Sequence, residues 1–393
     1  MPGTSPSLIT FVLLTALTVV STTMFLPALP AMQADFGVSE AVIGLSVTVY
    51  MIAAAILQLV LGPLSDRVGR RPVVIGVLAV YCAASLVCLV AQDIAVFLMA
   101  RTVQAVAMSA GILVAAIVRD LHKGPAAAAT LATIASAMAI VPMMAPVLGG
   151  FLELQFGWRS IFVFYAVTGA GLLLWVMRDL GETRPDAREG PPEPRRAILR
   201  EPRFWAYAAC QALGAGSFYI FLVGSPFVAL ALFGLDSGQI GIGLGSVTMG
   251  FMLASALSAR LVHRFGPFRL IVAGRAISLL GLTAGLIAFS SGAPPVWTFY
   301  AATVWVGVGN GLTLANANAL ALAVRPRLAG TASGLTGALG NLTIAALSVV
   351  TTAVLAQDAS AARLFALLIA AALASLMAAA VGRFLEPDET RYA

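Results

Sequence analysis

The chain has 393 residues, of which 60% are apolar and only 10% charged, and its mean hydropathy is +0.97. These values exclude an ordinary soluble domain, and the distribution of the formal charge of +6 along the chain calls for no nucleic-acid partner. Cys82, Cys88 and Cys210 all fall inside apolar runs and the two histidines, His122 and His263, fall in predicted loops, which excludes a disulfide framework and a histidine-rich metal centre.

Runs of roughly 20 apolar residues, the length a helix needs to cross a bilayer, recur along the whole chain. They predict an all-α polytopic membrane protein with twelve transmembrane helices, near 8–30, 41–61, 73–92, 95–117, 127–150, 159–177, 204–232, 239–260, 269–290, 296–322, 331–354 and 363–384. The connections are short, so consecutive helices are expected to run antiparallel. No small-residue cleavage site follows the first run, which therefore reads as a retained helix. Residues 178–203 mix seven arginines, six acids and five prolines and read as a solvated connector. The expected organisation is a six-helix bundle over 1–177, a cytoplasmic linker over 178–203 and a second six-helix bundle over 204–393.

Charge sets the expected orientation. With both termini cytoplasmic, the inner segments hold Arg67, Arg70, Arg71, Arg119, Lys123, Arg260, Arg264, Arg269, Arg325, Arg327, Arg383 and Arg391. Together with the linker arginines, nineteen of the 23 basic residues then lie inside, which is the positive-inside bias. The densest of these segments is Gly62-Pro63-Leu64-Ser65-Asp66-Arg67-Val68-Gly69-Arg70-Arg71-Pro72, a charged turn between uncharged spans. A degenerate echo, Ala-Arg-Leu-Val-His-Arg-Phe-Gly-Pro-Phe-Arg-Leu-Ile-Val over 259–272, overlays on 62–75 at an offset of 197 residues. Arg67 then matches Arg264 and Gly69 matches Gly266. Two parallel six-helix repeats describe a transporter with its substrate site at the repeat interface.

Residues 62–72 resemble the loop 2–3 signature of the major facilitator superfamily. Further segments resemble its drug:proton antiporter branch, the Bcr/CflA family of chloramphenicol and florfenicol exporters. These are Phe25-Leu26-Pro27-Ala28-Leu29-Pro30, Arg101-Thr102-Val103-Gln104-Ala105, Val118-Arg119-Asp120, and Pro142-Met143-Met144-Ala145-Pro146-Val147-Leu148-Gly149-Gly150. The resemblance implies the major facilitator fold, a single-chain transporter in a bacterial inner membrane, a small-molecule substrate, alternating access, a proton as coupling ion and no cofactor.

Candidate substrate-binding residues follow from helical spacing and from that resemblance. An arginine deep in a membrane helix costs roughly 2.5–3.5 kcal/mol on insertion scales and normally faces a cavity or a partner. Arg101 is one, with Gln104 and Met108 three and seven residues on. Thr22, Thr23 and Phe25 belong to a stripe on the first span, Tyr50 lies on the second, and Gln211, Phe218 and Tyr219 lie on the seventh. Asn310 and Asn341 are the candidates on the tenth and eleventh. Arg275, two turns into the ninth span, reads as an interface arginine reaching toward the headgroups. By resemblance, Asp66, Arg70 and Asp120 form an inner gate within the signature of Gly62, Arg67, Gly69 and Arg71. Pro142, Pro146, Gly149 and Gly150 are expected to soften the fifth span for movement.

One departure stands out. The Bcr/CflA pattern in the first span reads Thr-Asp-Met-Tyr-Leu-Pro, and its Asp is the usual proton-coupling carboxylate. Here the segment is Thr22-Thr23-Met24-Phe25-Leu26-Pro27, and no Asp or Glu lies well inside any predicted span. A threonine does not titrate at physiological pH. Export of a small amphipathic drug, antibiotic or metabolite by proton antiport is the first expectation, and a metabolite importer or uncoupled facilitator is the alternative. Paired acids, a Ser/His pair and metal ligands at membrane depth are all missing from the spans, so an enzyme is not expected.

Overall fold

The computed structural model describes residues 6–122, 125–138, 140–183, 196–292, 295–325 and 328–386. Lys123, Arg327, Arg391 and residues 184–195 of the 178–203 segment lie outside these. Among the described residues there are helices and no strands, and the chain divides into two compact units. The first comprises Met1–Gly190 with Asp236–Ile242, the second Pro191–Leu235 with Gly243–Ala393.

In the first unit, α1 (Leu8–Thr23) starts at Ser7, whose side chain accepts from the Thr10 amide. The predicted first span does not continue as one helix. Pro27 and Pro30 supply no N–H to the preceding turn, so α1 gives way to a 3-10 turn (Leu26–Ala28) and then to α2 (Leu29–Phe36). After α3 (Glu40–Val68) a single residue, Gly69, makes the whole connection to α4 (Arg70–Val90). Gly69 has φ +117°, which side chains rarely adopt, and a Cβ there would lie 2.5 Å from a Glu182 carboxylate oxygen.

The predicted fourth span is also broken, into α5 (Ile94–Gln104), a 3-10 turn (Ala105–Met108) and α6 (Ser109–Leu121). The fifth is divided between α7 (Pro125–Met138) and α8 (Val141–Phe156). This corrects the reading of Pro142 as a softening residue inside a helix. It occupies the first turn of α8, where a missing N–H costs nothing, and only Pro146 lies within the helix. The unit closes with α9 (Arg159–Asp179), which packs along α4. Phe36, Phe97, Trp158, Phe162 and Tyr165 stack at centroid separations of 5.4–5.9 Å and tie α2, α5 and α9 together; such pairs add about 0.5–1.5 kcal/mol each beyond burial.

The second unit holds a short turn α10 (Arg196–Leu199), α11 (Pro202–Phe233), most of α12 (Ser237–Phe265), α13 (Pro267–Ser290), α14 (Val296–Ala323), α15 (Ala329–Leu355) and α16 (Ala361–Phe384). Helix α11 is its axis and packs against α14, α15 and α16. Small residues permit the close approaches, for example Gly307 of α14, where a Cβ would lie 2.0 Å from the Val247 carbonyl oxygen of α12.

Ten segments of the described residues are long and apolar enough to cross a membrane. The 28-residue α14 is long enough as well, but Asn310, Asn316 and Asn318 reduce its apolar character. With the α7–α8 pair these account for the twelve expected regions. Exposed apolar side chains such as Ile56, Leu154, Val167, Leu280 and Phe384 are what lipid-facing helix surfaces require.

Close packing makes a stability prediction at α8. A Cβ on Gly149 would lie 1.7 Å from the Met24 carbonyl oxygen. Gly149→Ala is expected to cost about 1–3 kcal/mol, read as a lowered thermal unfolding midpoint of the detergent-purified protein. Gly76→Ala, whose Cβ meets no atom within 4 Å, is expected to leave the midpoint unchanged or raise it.

Candidate functional site

The central feature of the first unit is a fully buried arginine. Arg101, near the end of α5, is 0% exposed. Its guanidinium carbon lies 4.2 Å from the Phe25 ring centroid and 4.4 Å from that of Tyr50. Nη1 and Nη2 each donate to the Ser21 carbonyl at 3.4 Å, and Nη1 also donates to Gln104 Oε1. Gln104 Nε2 in turn donates to Ser85 Oγ at 2.7 Å. Among the described residues no carboxylate pairs with Arg101, and its Nε has no partner.

Every group around the cation is therefore neutral, and the break after α1 explains how it is tolerated. The last carbonyls of a helix lack partners within it and carry partial negative charge. Ser21 belongs to that last turn, and Tyr165 Oη donates to the neighbouring Val20 carbonyl at 3.0 Å. Two desolvated aromatic faces each contribute up to about 2 kcal/mol to a buried cation. Where the 3-10 turn after Gln104 ends, Gln58 Nε2 of α3 donates to the Met108 carbonyl at 3.1 Å.

The predicted set in this unit is thus partly gathered. Phe25, Tyr50, Arg101 and Gln104 touch one another, while Met108 lies beyond the helix break. The buried Thr22 and Thr23 commit their hydroxyls to their own helix, Thr23 Oγ1 donating to the Val19 carbonyl at 2.9 Å and Thr22 Oγ1 to the same oxygen at 2.8 Å. Thr23 therefore makes no bond to Arg101.

A second cluster surrounds the turn at Gly69. Arg70 is 3% exposed. It binds Asp66 Oδ1 at 2.6 Å through Nη2, Asp120 Oδ2 at 2.8 Å through Nε, and Ser65 Oγ at 2.5 Å through Nη1. Glu182, just after α9, accepts from the Arg70 and Arg71 amides at 2.8 and 3.3 Å. It thereby caps the positive end of α4. Arg71 donates to the Leu180 and Met177 carbonyls at 2.8 and 2.9 Å. Gly62 contributes its carbonyl to Ser65 Oγ at 2.8 Å, and Arg67 is exposed. Two carboxylates meet the Arg70 guanidinium and a third caps α4, so the turn is more than a positively charged topology anchor. The buried glycines Gly149 and Gly150 and Pro146 lie on α8, away from this turn in sequence.

In the second unit Asn310 of α14 is 0% exposed and its Oδ1 accepts from Arg275 Nη2 at 2.7 Å. This corrects the expectation for Arg275, which does not reach for an interface but is 1% exposed inside the unit. Asn310 Nδ2 donates to Ser217 Oγ of α11 at 3.3 Å. Phe218 lies 5.9 Å from Phe251, centroid to centroid. Gln211 is half-buried on α11, with its Oε1 without a partner among the described residues. Tyr219 is half-buried on α11 and Asn341 is buried on α15.

Several participants had no usable signal in the sequence. Ser21 acts through its backbone, Ser85 is one serine in an apolar helix, and Glu182 stands in a segment rich in acids. Arg275 carried the same signal as Arg101, an arginine inside an apolar run.

The Major Facilitator Superfamily model matches residues 11–348. The chain is 29% identical over 295 residues to the chloramphenicol resistance protein of Pseudomonas aeruginosa, covering 73% of this chain and 69% of that protein. It is 30% identical over 288 residues to the multidrug resistance protein MdtL of Escherichia coli O81 (strain ED1a), covering 68% and 74%. A solved D-xylose–proton symporter superposes with a TM-score of 0.78 at 15% identity, covering 98% of each chain, a likeness of fold.

The Arg70 cluster makes a prediction of its own. Arg70→Met leaves two carboxylates without their shared cation and is expected to cost about 3–5 kcal/mol, measured as a drop in the unfolding midpoint. Arg70→Lys keeps the charge but loses the planar fork, and is expected to recover only part of that loss.

Proposed function

Because the chain belongs to the Major Facilitator Superfamily, we propose that this membrane transporter exports a small amphipathic drug, antibiotic or related metabolite by alternating access, in exchange for protons. The proposed setting is a bacterial inner membrane with both termini cytoplasmic. The observation that carries the drug-export reading is similarity to chloramphenicol and multidrug resistance proteins over about two thirds or more of this chain and of theirs. The residues proposed to meet substrate are Thr22, Thr23, Phe25, Tyr50, Arg101, Gln104 and Met108 in the first unit. Gln211, Phe218, Tyr219, Asn310 and Asn341 are their counterparts in the second.

Arg101 gives this reading its chemistry. Its charge is permanent at physiological pH, and all its partners among the described residues are neutral. A substrate with an anionic or strongly dipolar group gains most from such a field. The Asp66–Arg70–Asp120 cluster is the proposed inner gate, since it joins the ends of three helices through one guanidinium.

A second reading, import or uncoupled facilitation, is favoured by one observation. Position 23 is threonine, and its hydroxyl bonds the helix backbone, so the family's carboxylate has no substitute there.

Proteoliposomes carrying the full chain separate these readings. An inward proton gradient is expected to stimulate export of chloramphenicol or a related antibiotic severalfold, whereas indifference to the gradient supports facilitation. Arg101→Gln is expected to lose at least nine-tenths of the flux. Asp66→Asn is expected to insert normally and transport poorly, and wild-type flux in that variant would remove the gate from the proposal.

A further inference from the structure

Arg275 and Arg101 are both buried in the helical core of their own unit, yet they are satisfied to very different degrees. Arg101 has three hydrogen bonds to neutral oxygens and two aromatic faces. Arg275 makes one hydrogen bond among the described residues, from Nη2 to Asn310 Oδ1 at 2.7 Å, and no ion pair. Its Nε is buried without a partner. A guanidinium offers five N–H donors and stays charged at physiological pH. Removing an ion from water is costly unless a counter-charge and hydrogen bonds compensate.

The surroundings are built to hold this head group in place. Gly214 of α11 clears the space, since a Cβ there would lie 2.6 Å from Arg275 Nη2. Ser217, one turn on, donates to the Gly214 carbonyl at 2.8 Å and accepts from Asn310 Nδ2 at 3.3 Å, which keeps Oδ1 aimed at the guanidinium. A second unused donor lies on α14, one turn from Asn310. Thr313 follows Asn310 by three residues on the same face of α14, is 0% exposed, and its hydroxyl has no partner among the described residues. That hydroxyl lies 3.0 Å from the position of a Cβ on Gly274, the residue preceding Arg275.

We propose that Arg275, Thr313 and Asn310 form a site for a small monovalent anion inside the second unit, of the halide or carboxylate class. The unused groups are donors, Arg275 Nε and the Thr313 hydroxyl, attached to or adjoining a permanent cation. A charge-assisted hydrogen bond from guanidinium to an anion is about twice as strong as a neutral one, so an anion satisfies both the charge and the spare donors. A cation or a neutral acceptor satisfies at most one of them. The site shares Asn310 with the residues proposed to meet substrate, but its anion is set by Arg275 and Thr313 and not by the molecule exported.

The test uses the full-length protein purified in detergent and exchanged into sodium gluconate. Thermal unfolding is followed while chloride, or in parallel formate, replaces gluconate at constant ionic strength. Wild type is expected to show a saturable rise of a few degrees; a preference for chloride identifies a free halide, and one for formate a carboxylate. Arg275→Gln and Thr313→Val are expected to lose the rise. Should Arg275→Gln fail to fold, Asn310→Asp provides the decisive case. It places a carboxylate against the guanidinium and is expected to raise the midpoint in gluconate and abolish the anion response. A response that does not saturate, that survives unchanged in Asn310→Asp, or that disappears in Arg101→Gln while persisting in Arg275→Gln overturns the proposal. Transport is not read in this experiment, so its failure and a failure of the export reading are distinguishable.

Discussion

The burial of the Arg101 guanidinium against neutral partners is the constraint on which the first unit depends. No lysine could replace it, because the two aromatic faces and the bonds to Ser21 and Gln104 require a flat head group with several donors. Its demands propagate outward. Helix α1 must end near Thr23 to present unpaired carbonyls, and the prolines at 27 and 30 make it end there. Gly149 must lack a side chain so that α8 can lie on the carbonyl of Met24. Gln58 of α3 bonds the Met108 carbonyl where the helix that carries Arg101 is interrupted.

The two units answer the same problem with the same chemical grammar but at positions the internal repeat does not equate. Each has an arginine bonded to a side-chain amide oxygen, and in each the amide nitrogen passes the chain on to a serine hydroxyl. Arg101, Gln104 and Ser85 form one such series, Arg275, Asn310 and Ser217 the other. An amide is well suited to the middle position because it accepts on one side and donates on the other without adding charge. Both units therefore retain an uncancelled positive charge in an apolar interior, which a carboxylate in either series would have removed.

At the turn between α3 and α4 the logic is reversed, since carboxylates are abundant there and the arginine is their common partner. Glu182 ties the start of the segment joining the two units to the amides of Arg70 and Arg71. In the second unit Glu201, near the other end of that segment, pairs with Arg325 at 2.5 Å. Each described end of the connector is thus fastened by an acid to its own unit.

The amino-acid sequence by itself determined the elements of this protein that follow from solvent and charge. Long uncharged runs can only be satisfied as helices in lipid, so the all-helical membrane fold, the location of the membrane-crossing regions and the family were legible, as was the concentration of charge at residues 62–72. Arg101 and Gln104 were legible too, because their spacing of three places both on one helix face. What tertiary structure alone decided was where helices stop and what satisfies each buried polar group. Pro142 as a helix start, the interrupted fourth span and the Ser85 and Ser21 contacts depend on partners from other helices, which no local pattern encodes. Arg275 shows the limit most clearly. Two arginines inside apolar runs look alike in sequence, and only the neighbours brought by α11 and α14 distinguish a residue that snorkels from one held in the core with donors to spare.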